Sequence, residues 1–167
     1  MSSLGKTFSL TGWKIGWAIG PEEMTRAIRA AHQFLTFAVA TPLQRAAAVA
    51  LASPPSYYDQ LRDSFRAKRD VLCDALEVIG FEVSRPQGGY FAMADFRSLD
   101  LGRLGLPADA DDAQFCKALV EKVGVAAIPP SFFYERKREG AGMARFAFCK
   151  QDETIAEGVR RLGVLKR

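Results

Sequence analysis

The chain has a single histidine, His32, among 167 residues. That scarcity excludes a multi-histidine metal centre within the chain. It also leaves one residue to serve any Ser-His-Asp or Cys-His catalytic set. His32 falls inside a helical pattern and reads as a surface or packed side chain. Cysteine is sparse as well. Cys73, Cys116 and Cys149 are odd in number, widely spaced and include no C-x-x-C pair. Neither a disulfide framework nor a zinc cluster fits that spacing, so three reduced thiols and no metal are expected. No apolar run approaches the roughly 20 residues that a bilayer-crossing helix needs. Met1 to Lys6 lacks the apolar stretch of a secretion signal. The expected compartment is the cytoplasm, with no membrane partner. Internal repeats and low-complexity tracts are missing too.

The composition, 49% hydrophobic and 25% charged, is that of a globular chain of one domain or two small ones. A net charge of +4 raises the question of nucleic acid. Yet the basic residues sit beside acids along helices, as in Glu22 with Arg26 and Asp63 with Arg66. The densest cluster, Glu135-Arg136-Lys137-Arg138-Glu139, is short and acid-flanked and reads as a solvated loop. Nucleic acid is not an expected partner, and a basic excess also suits small anionic ligands.

Residues 13–19, Trp-Lys-Ile-Gly-Trp-Ala-Ile, are rich in aromatic and branched side chains and predict a buried strand. Gly20-Pro21 ends it. Glu22 and Glu23 suit the positive end of a helix in which Met24, Ile28, Ala31 and Leu35 recur at helical spacing. Thr41-Pro42 opens another helix. Ser53-Pro54-Pro55-Ser56 is a break and the best candidate for a boundary. A long helix over 56–79 follows, with Leu61, Phe65, Leu72, Leu76 and Ile79 on one stripe and Gly80 as its stop. Short elements come next: strands at 81–84 and 90–96 around a turn at 85–89, and a polar loop over 97–110. A helix capped by Asp111 or Asp112 buries Phe115, Leu119 and Val123. Further strands are predicted at 125–128 and 143–149. Asp152 would cap a last helix. The fold class is α/β. The second half resembles a small α/β sandwich. Residues 1–52 hold one strand and two helices, too little for a sheet of their own, and look like the end of a larger domain.

The residues with chemistry start at Lys6. Gly5-Lys6-Thr7 has the tail of a phosphate-binding loop. That motif also needs a glycine five residues before Gly5 and a helix right after the lysine. The chain offers no residue at the first place, and the second reads as loop and strand. The company of Lys6 is more informative. Ser3-x-x-Lys6 is followed by Gly12-Trp13-Lys14-Ile15-Gly16 and His32-Gln33. Then come Pro86-Gln87-Gly88-Gly89-Tyr90-Phe91, Gly124-Val125-Ala126-Ala127-Ile128-Pro129, Ser131 with Phe133-Tyr134, and Arg145-Phe146-Ala147-Phe148. This ordered set resembles the class I/II aminotransferases of fold type I, which use pyridoxal 5'-phosphate (PLP). Within them it is most similar to the kynurenine/glutamine and methionine subgroup.

The resemblance implies a role for each matching residue. Lys6 would be the Schiff-base lysine and the proton carrier at the substrate Cα. Ser3 and Lys14 would bind the cofactor phosphate, where a hydroxyl and a cation make charge-assisted hydrogen bonds. Many relatives carry arginine at the place of Lys14, and lysine binds phosphate without the bidentate fork. Arg145 would grip the substrate α-carboxylate. Tyr90 would line the substrate side chain, and Phe37 would reach into a neighbouring subunit of a homodimer. Gly88-Gly89 suits a turn with a left-handed residue.

The implied substrates are an apolar or aromatic L-amino acid, of methionine, glutamine or kynurenine type, and a 2-oxo acid. Residues 1–52 would be the truncated end of the large cofactor domain, 53–79 a connecting helix and 80–167 the small C-terminal domain. The family pattern also needs an aspartate on the pyridine nitrogen and other groups upstream of residue 1. The fragment alone is therefore expected neither to hold the cofactor tightly nor to transaminate. Two alternatives share the sequence: a PLP-dependent carbon–sulfur β-lyase on the same scaffold, and a non-catalytic dimerising or binding remnant.

Overall fold

The computed structural model describes residues 1–166. The chain divides into two compact units, Met1–Tyr58 and a second that begins at Asp59.

The first unit starts with a folded-back segment. Strand β1 (Ser2–Ser3) leads into the single turn of α1 (Leu4–Thr7), and the chain returns through a 3-10 turn at Thr11–Trp13 to strand β2 (Gly16–Trp17). β1 and β2 pair antiparallel, Ser2 opposite Trp17 and Ser3 opposite Gly16. The strand expected over 13–19 is thus cut to two residues. Trp13 belongs to the 3-10 turn, and Lys14 closes that turn in the left-handed region at φ 54°. With only Ser2–Ser3 to pair against, the aromatic run has no further ladder.

Helix α2 (Glu22–Leu35) begins after Pro21 with Glu22 and Glu23 in its first turn, where the helix dipole favours acids. Its apolar stripe forms as the spacing predicts, but it is not covered. No α2 residue is buried, and Phe34 and Leu35 are 86% and 84% exposed. Helix α3 (Thr41–Leu51) carries Pro42 in its first turn, where a missing N–H costs nothing. The core of this unit is Leu4, Ile15 and Ala47, flanked by Phe8, Leu10, Trp13, Trp17, Val39, Leu43 and Ala50. Helix α4 (Pro55–Ile79) starts in the first unit and runs on into the second.

The second unit is a three-stranded antiparallel sheet with helices on one face. The strands are β3 (Glu82–Ser84), β4 (Phe91–Asp95) and β5 (Met143–Ala147), in the order β3-β4-β5. Alternation divides the faces, since successive side chains point to opposite sides. Ala92 is buried, and Ala94, Ala144 and Phe146 are buried with Leu72, Leu76 and Ile79 of α4. Phe91, Met93, Met143 and Arg145 lie on the other face.

Helix α5 (Asp112–Ala118) continues as a wider turn, Leu119–Val123, that stops at Gly124. Asp111 is its N-cap, in a reciprocal capping box with Gln114. Phe115, Leu119 and Val123 are buried, as their spacing requires. Helix α6 (Asp152–Leu162) inserts Ile155 and Leu162.

Three expectations change here. The polar loop over 97–110 contains a 3-10 turn at Leu101–Leu104, and Leu99, Leu101, Leu104 and Ala110 belong to the core. Residues 125–128 form only a bridge, Ile128 to Arg145, because they meet β5 at one point and no strand on their other side. The cap of α6 is Gln151, with Asp152 one place inside the first turn. Among the described residues no helix is long and apolar enough to cross a membrane.

Candidate cofactor and substrate site

Lys6 stands on the one-turn helix α1, exposed, while Leu4 on the same turn is fully buried. The turn is fastened on all sides. Leu4 donates its N–H to the Ile15 carbonyl at 3.0 Å, and its own carbonyl accepts from Phe8 N at 2.9 Å and Leu10 N at 3.2 Å. Tyr57 donates its hydroxyl to the Thr7 carbonyl at 2.8 Å, and its ring stacks on Phe8 at 5.3 Å. Gly5 permits a close approach: a Cβ there would lie 3.1 Å from the Thr11 Cα, a tight contact.

Lys14 is exposed, where a buried strand position was expected. Its left-handed backbone costs on the order of 1–3 kcal/mol in a non-glycine residue. The neighbouring Ile15 is buried and hydrogen-bonded to Leu4, which holds Lys14 in place. Among the described residues no ion pair involves Lys14. Ser3 caps α1 in extended conformation and is half-buried. The fold-back therefore gathers Ser3, Lys6 and Lys14 into one segment. No aspartate or glutamate occurs before Glu22. Two ammonium groups and several hydroxyls without a carboxylate form a donor set suited to a dianionic phosphate.

The second unit presents a different group. Arg145 is paired across the sheet with Met93, and on its other side Ile128 exchanges two backbone hydrogen bonds with it, at 3.0 and 3.1 Å. Its guanidinium carbon lies 4.3 Å from the Phe91 ring centroid and 4.6 Å from that of Phe133. The two rings hold the guanidinium by cation–π attraction. Arg145 Nε is buried and has no hydrogen-bond partner in the described chain. A buried donor without an acceptor is costly unless a ligand supplies one.

The remaining expected residues fall elsewhere. Tyr90 packs against the core, its ring 6.2 Å from Phe65 and 4.6 Å from Phe91. Phe37 follows α2, 81% exposed and at φ 65°. Gly89 takes the left-handed conformation that its turn requires, φ 73°. The pair Phe91 and Phe133 entered the sequence reading only as letters of longer motifs. The even spacing of Phe91 from Met93 was the one available sign that its ring shares a face with Arg145. Among the described residues no cluster of three or more His, Cys, Asp or Glu side chains could hold a metal ion.

The family model for aminotransferase class I and II matches residues 1–162. The chain belongs to the class I and II aminotransferases. This family depends on PLP. Among solved structures, N-succinyldiaminopimelate aminotransferase from Mycobacterium tuberculosis superimposes with a TM-score of 0.81 at 46% identity, over 98% of this chain and 41% of that one. A methionine aminotransferase from Escherichia coli gives 0.82 at 37%, over 97% and 40%. Among curated aminotransferases, the kynurenine–oxoglutarate transaminase of Dictyostelium discoideum is 37% identical over 100% of this chain and 41% of its own length. The chain thus spans about two-fifths of the aminotransferases it matches. The similarity extends to both units, so the α/β fold is that of the fold type I PLP aminotransferases.

Proposed function

We propose that this chain carries the cofactor lysine and the substrate-carboxylate arginine of a PLP-dependent transaminase. The observation that carries the reading is the acid-free fold-back that presents Lys6 beside Ser3 and Lys14. Ser3 Oγ and Lys14 Nζ bind the cofactor phosphate, the hydroxyl as donor and the ammonium as point charge. Lys6 Nζ is the point of covalent attachment, and once released it takes the proton from the substrate Cα. PLP, when bound, supplies the aldehyde and a ring that accepts the electron pair left by that proton. Arg145 orients the amino acid by its α-carboxylate, to which the orphaned Nε and its neighbour nitrogens donate. Two parallel bonds of that kind fix both position and angle.

The substrate is an L-amino acid with a long, partly apolar side chain, and the acceptor a 2-oxo acid. The names of the relatives, which include methionine, kynurenine and N-succinyldiaminopimelate, support that class. The acting form is a homodimer, to which Phe37 contributes from the exposed end of α2. Residues 1–52 serve as the closing part of the cofactor domain, 53–79 as a connector and 80–167 as the small domain.

The test is chemical trapping. The chain is incubated with PLP, reduced with borohydride and digested, and the pyridoxyl mass is located. The label is expected to be substoichiometric, because the chain holds the cofactor weakly, but on Lys6 in preference to every other lysine, and Lys6→Ala should abolish the preference. A label centred on Lys14, or spread evenly, overturns the assignment.

A further inference from the structure

Asp112 is 1% exposed, yet it is a carboxylate at the start of a helix that another residue, Asp111, already caps. Its side chain is directed elsewhere. Asp112 Oδ2 accepts the backbone N–H of Ser131 at 2.7 Å, across to a different part of the unit. Ser131 is itself buried and sits in the 3-10 turn Pro130–Phe133. That turn ends in Phe133, one of the two rings against the Arg145 guanidinium.

The same turn is also fixed by an absence. A Cβ on Gly140 would lie 2.6 Å from Ser131 N and 2.9 Å from the Pro130 carbonyl carbon. Backbone at that distance cannot yield as a flexible side-chain tip can. Just before the turn, Ile128 is bonded twice to Arg145. The segment 128–140 is therefore an arch with three anchors: Ile128 on the arginine's own backbone, the Asp112 carboxylate on Ser131, and Gly140 close against Ser131. The Phe91 ring comes from the neighbouring strand and needs no such arch.

We infer that Asp112 is a positioning residue for the substrate carboxylate: by holding Ser131 it seats Phe133 on Arg145 and so sets the direction in which the guanidinium points. The inference rests on the carboxylate-gripping role of Arg145 proposed above. A charge-assisted hydrogen bond inside the protein holds its geometry better than a neutral one. Arginine has four side-chain torsions, so a guanidinium held against two rings loses little freedom when a carboxylate arrives.

The experiment reads Arg145 directly. The chain labelled with 15N is titrated with 3-phenylpropionate, a monocarboxylate without an amino group. The Arg145 Nε–H resonance is followed after assignment by its loss in Arg145→Gln. The wild-type resonance should shift and give a dissociation constant. Asp112→Ala should weaken it about tenfold, the scale for a lost buried hydrogen bond. Asp112→Asn keeps an acceptor oxygen and should stay within about twofold of wild type. Should Asp112→Ala fail to fold, Gly140→Ala displaces the same turn without touching α5 and should weaken binding comparably. Wild-type binding that Asp112→Ala and Gly140→Ala leave unchanged overturns the positioning role alone. Equal losses in Asp112→Ala and Asp112→Asn overturn it as well. A wild-type chain whose Arg145 does not respond to the carboxylate overturns the role of Arg145, and with it the inference.

Discussion

In the unit Met1–Tyr58 three residues form the buried core, Leu4, Ile15 and Ala47, whereas the unit that begins at Asp59 encloses twenty-one described residues around a sheet. Each unit presents a cationic side chain, and each does so by different means. Lys6 is held by backbone: a one-turn helix, carbonyls that accept from Phe8, Leu10 and Tyr57, and a glycine packed closely against Thr11. Arg145 is held by side chains, two rings on the guanidinium and a sheet beneath it. The first unit also leaves Phe34, Leu35 and Phe37 in water. Burial of each would contribute about 1.5–3 kcal/mol. The difference teaches that local hydrogen bonds can fix one lysine where little core exists, while a planar arginine needs packed neighbours.

The comparison breaks most readily in the cores. Phe115, fully buried and stacked on Phe96 at 4.0 Å, should lose about 3–5 kcal/mol of stability as Phe115→Ala, measured by urea unfolding. Leu4→Ala acts in a core that can collapse, so about 2 kcal/mol is expected. Faster hydrogen exchange at Phe8 and Leu10 should accompany it. Equal losses in the two variants would show that the small core is as well packed as the large one.

A smaller effect tests the enclosure of the second unit by titration. Burial, and after it the charge of Asp112, pushes the Cys116 thiol up to about 12 from its ordinary 9.0. The folded chain therefore holds that proton more tightly than the unfolded chain. This contribution is complete below about pH 9 and is lost as pH rises toward about 12. Cys116→Ala should flatten the alkaline decline in urea midpoint. A wild-type midpoint level across that window would contradict it. The exposed Cys149 should react with a thiol reagent in the native chain well before Cys73 and Cys116.

The smallest effect belongs to the surface. Hydrogen bonds from Arg160 and then Arg161 hold the Glu157 carboxyl at about 2, below its ordinary 4.5. Its contribution is present above about pH 4.5 and fades as pH falls toward about 2. Both arginines and the glutamate meet water, so the change in stability should be slight. An NMR titration of the Glu157 carboxyl checks the direction, and an ordinary midpoint would dissolve the pair as a stabilising feature.

The sequence made the helices legible because period and punctuation agreed. Glu22–Leu35, the stop at Gly80 and the Asp111 cap all follow from local chemistry. Strands fared worse because a strand depends on a partner. Trp13 to Ile19 has strand composition but meets only Ser2–Ser3, and 125–128 meets β5 at one residue. Leu101 and Leu104 join the core from a segment that reads as polar, since a 3-10 turn started by Asp100 rotates them inward. The site divides likewise. Lys6 and Arg145 stood out by order and spacing. The exposure of Lys14 and the aromatic clamp on Arg145 did not, because a left-handed backbone and a ring from a distant loop leave no periodic trace.

The adjacent aspartates of α5 constrain how this chain can change over evolutionary time. Asp111 turns back to its own helix, and Asp112 reaches across to Ser131. Asp111 is the extended N-cap and Asp112 the first helical residue, so the two jobs are assigned by their phase relative to the helix start. Many substitutions around them leave that phase intact. A single inserted or deleted residue between Ala110 and Phe115 would disturb both at one stroke. The helix start is therefore a place where length is frozen more firmly than composition, and natural variation there should consist of replacements rather than gaps.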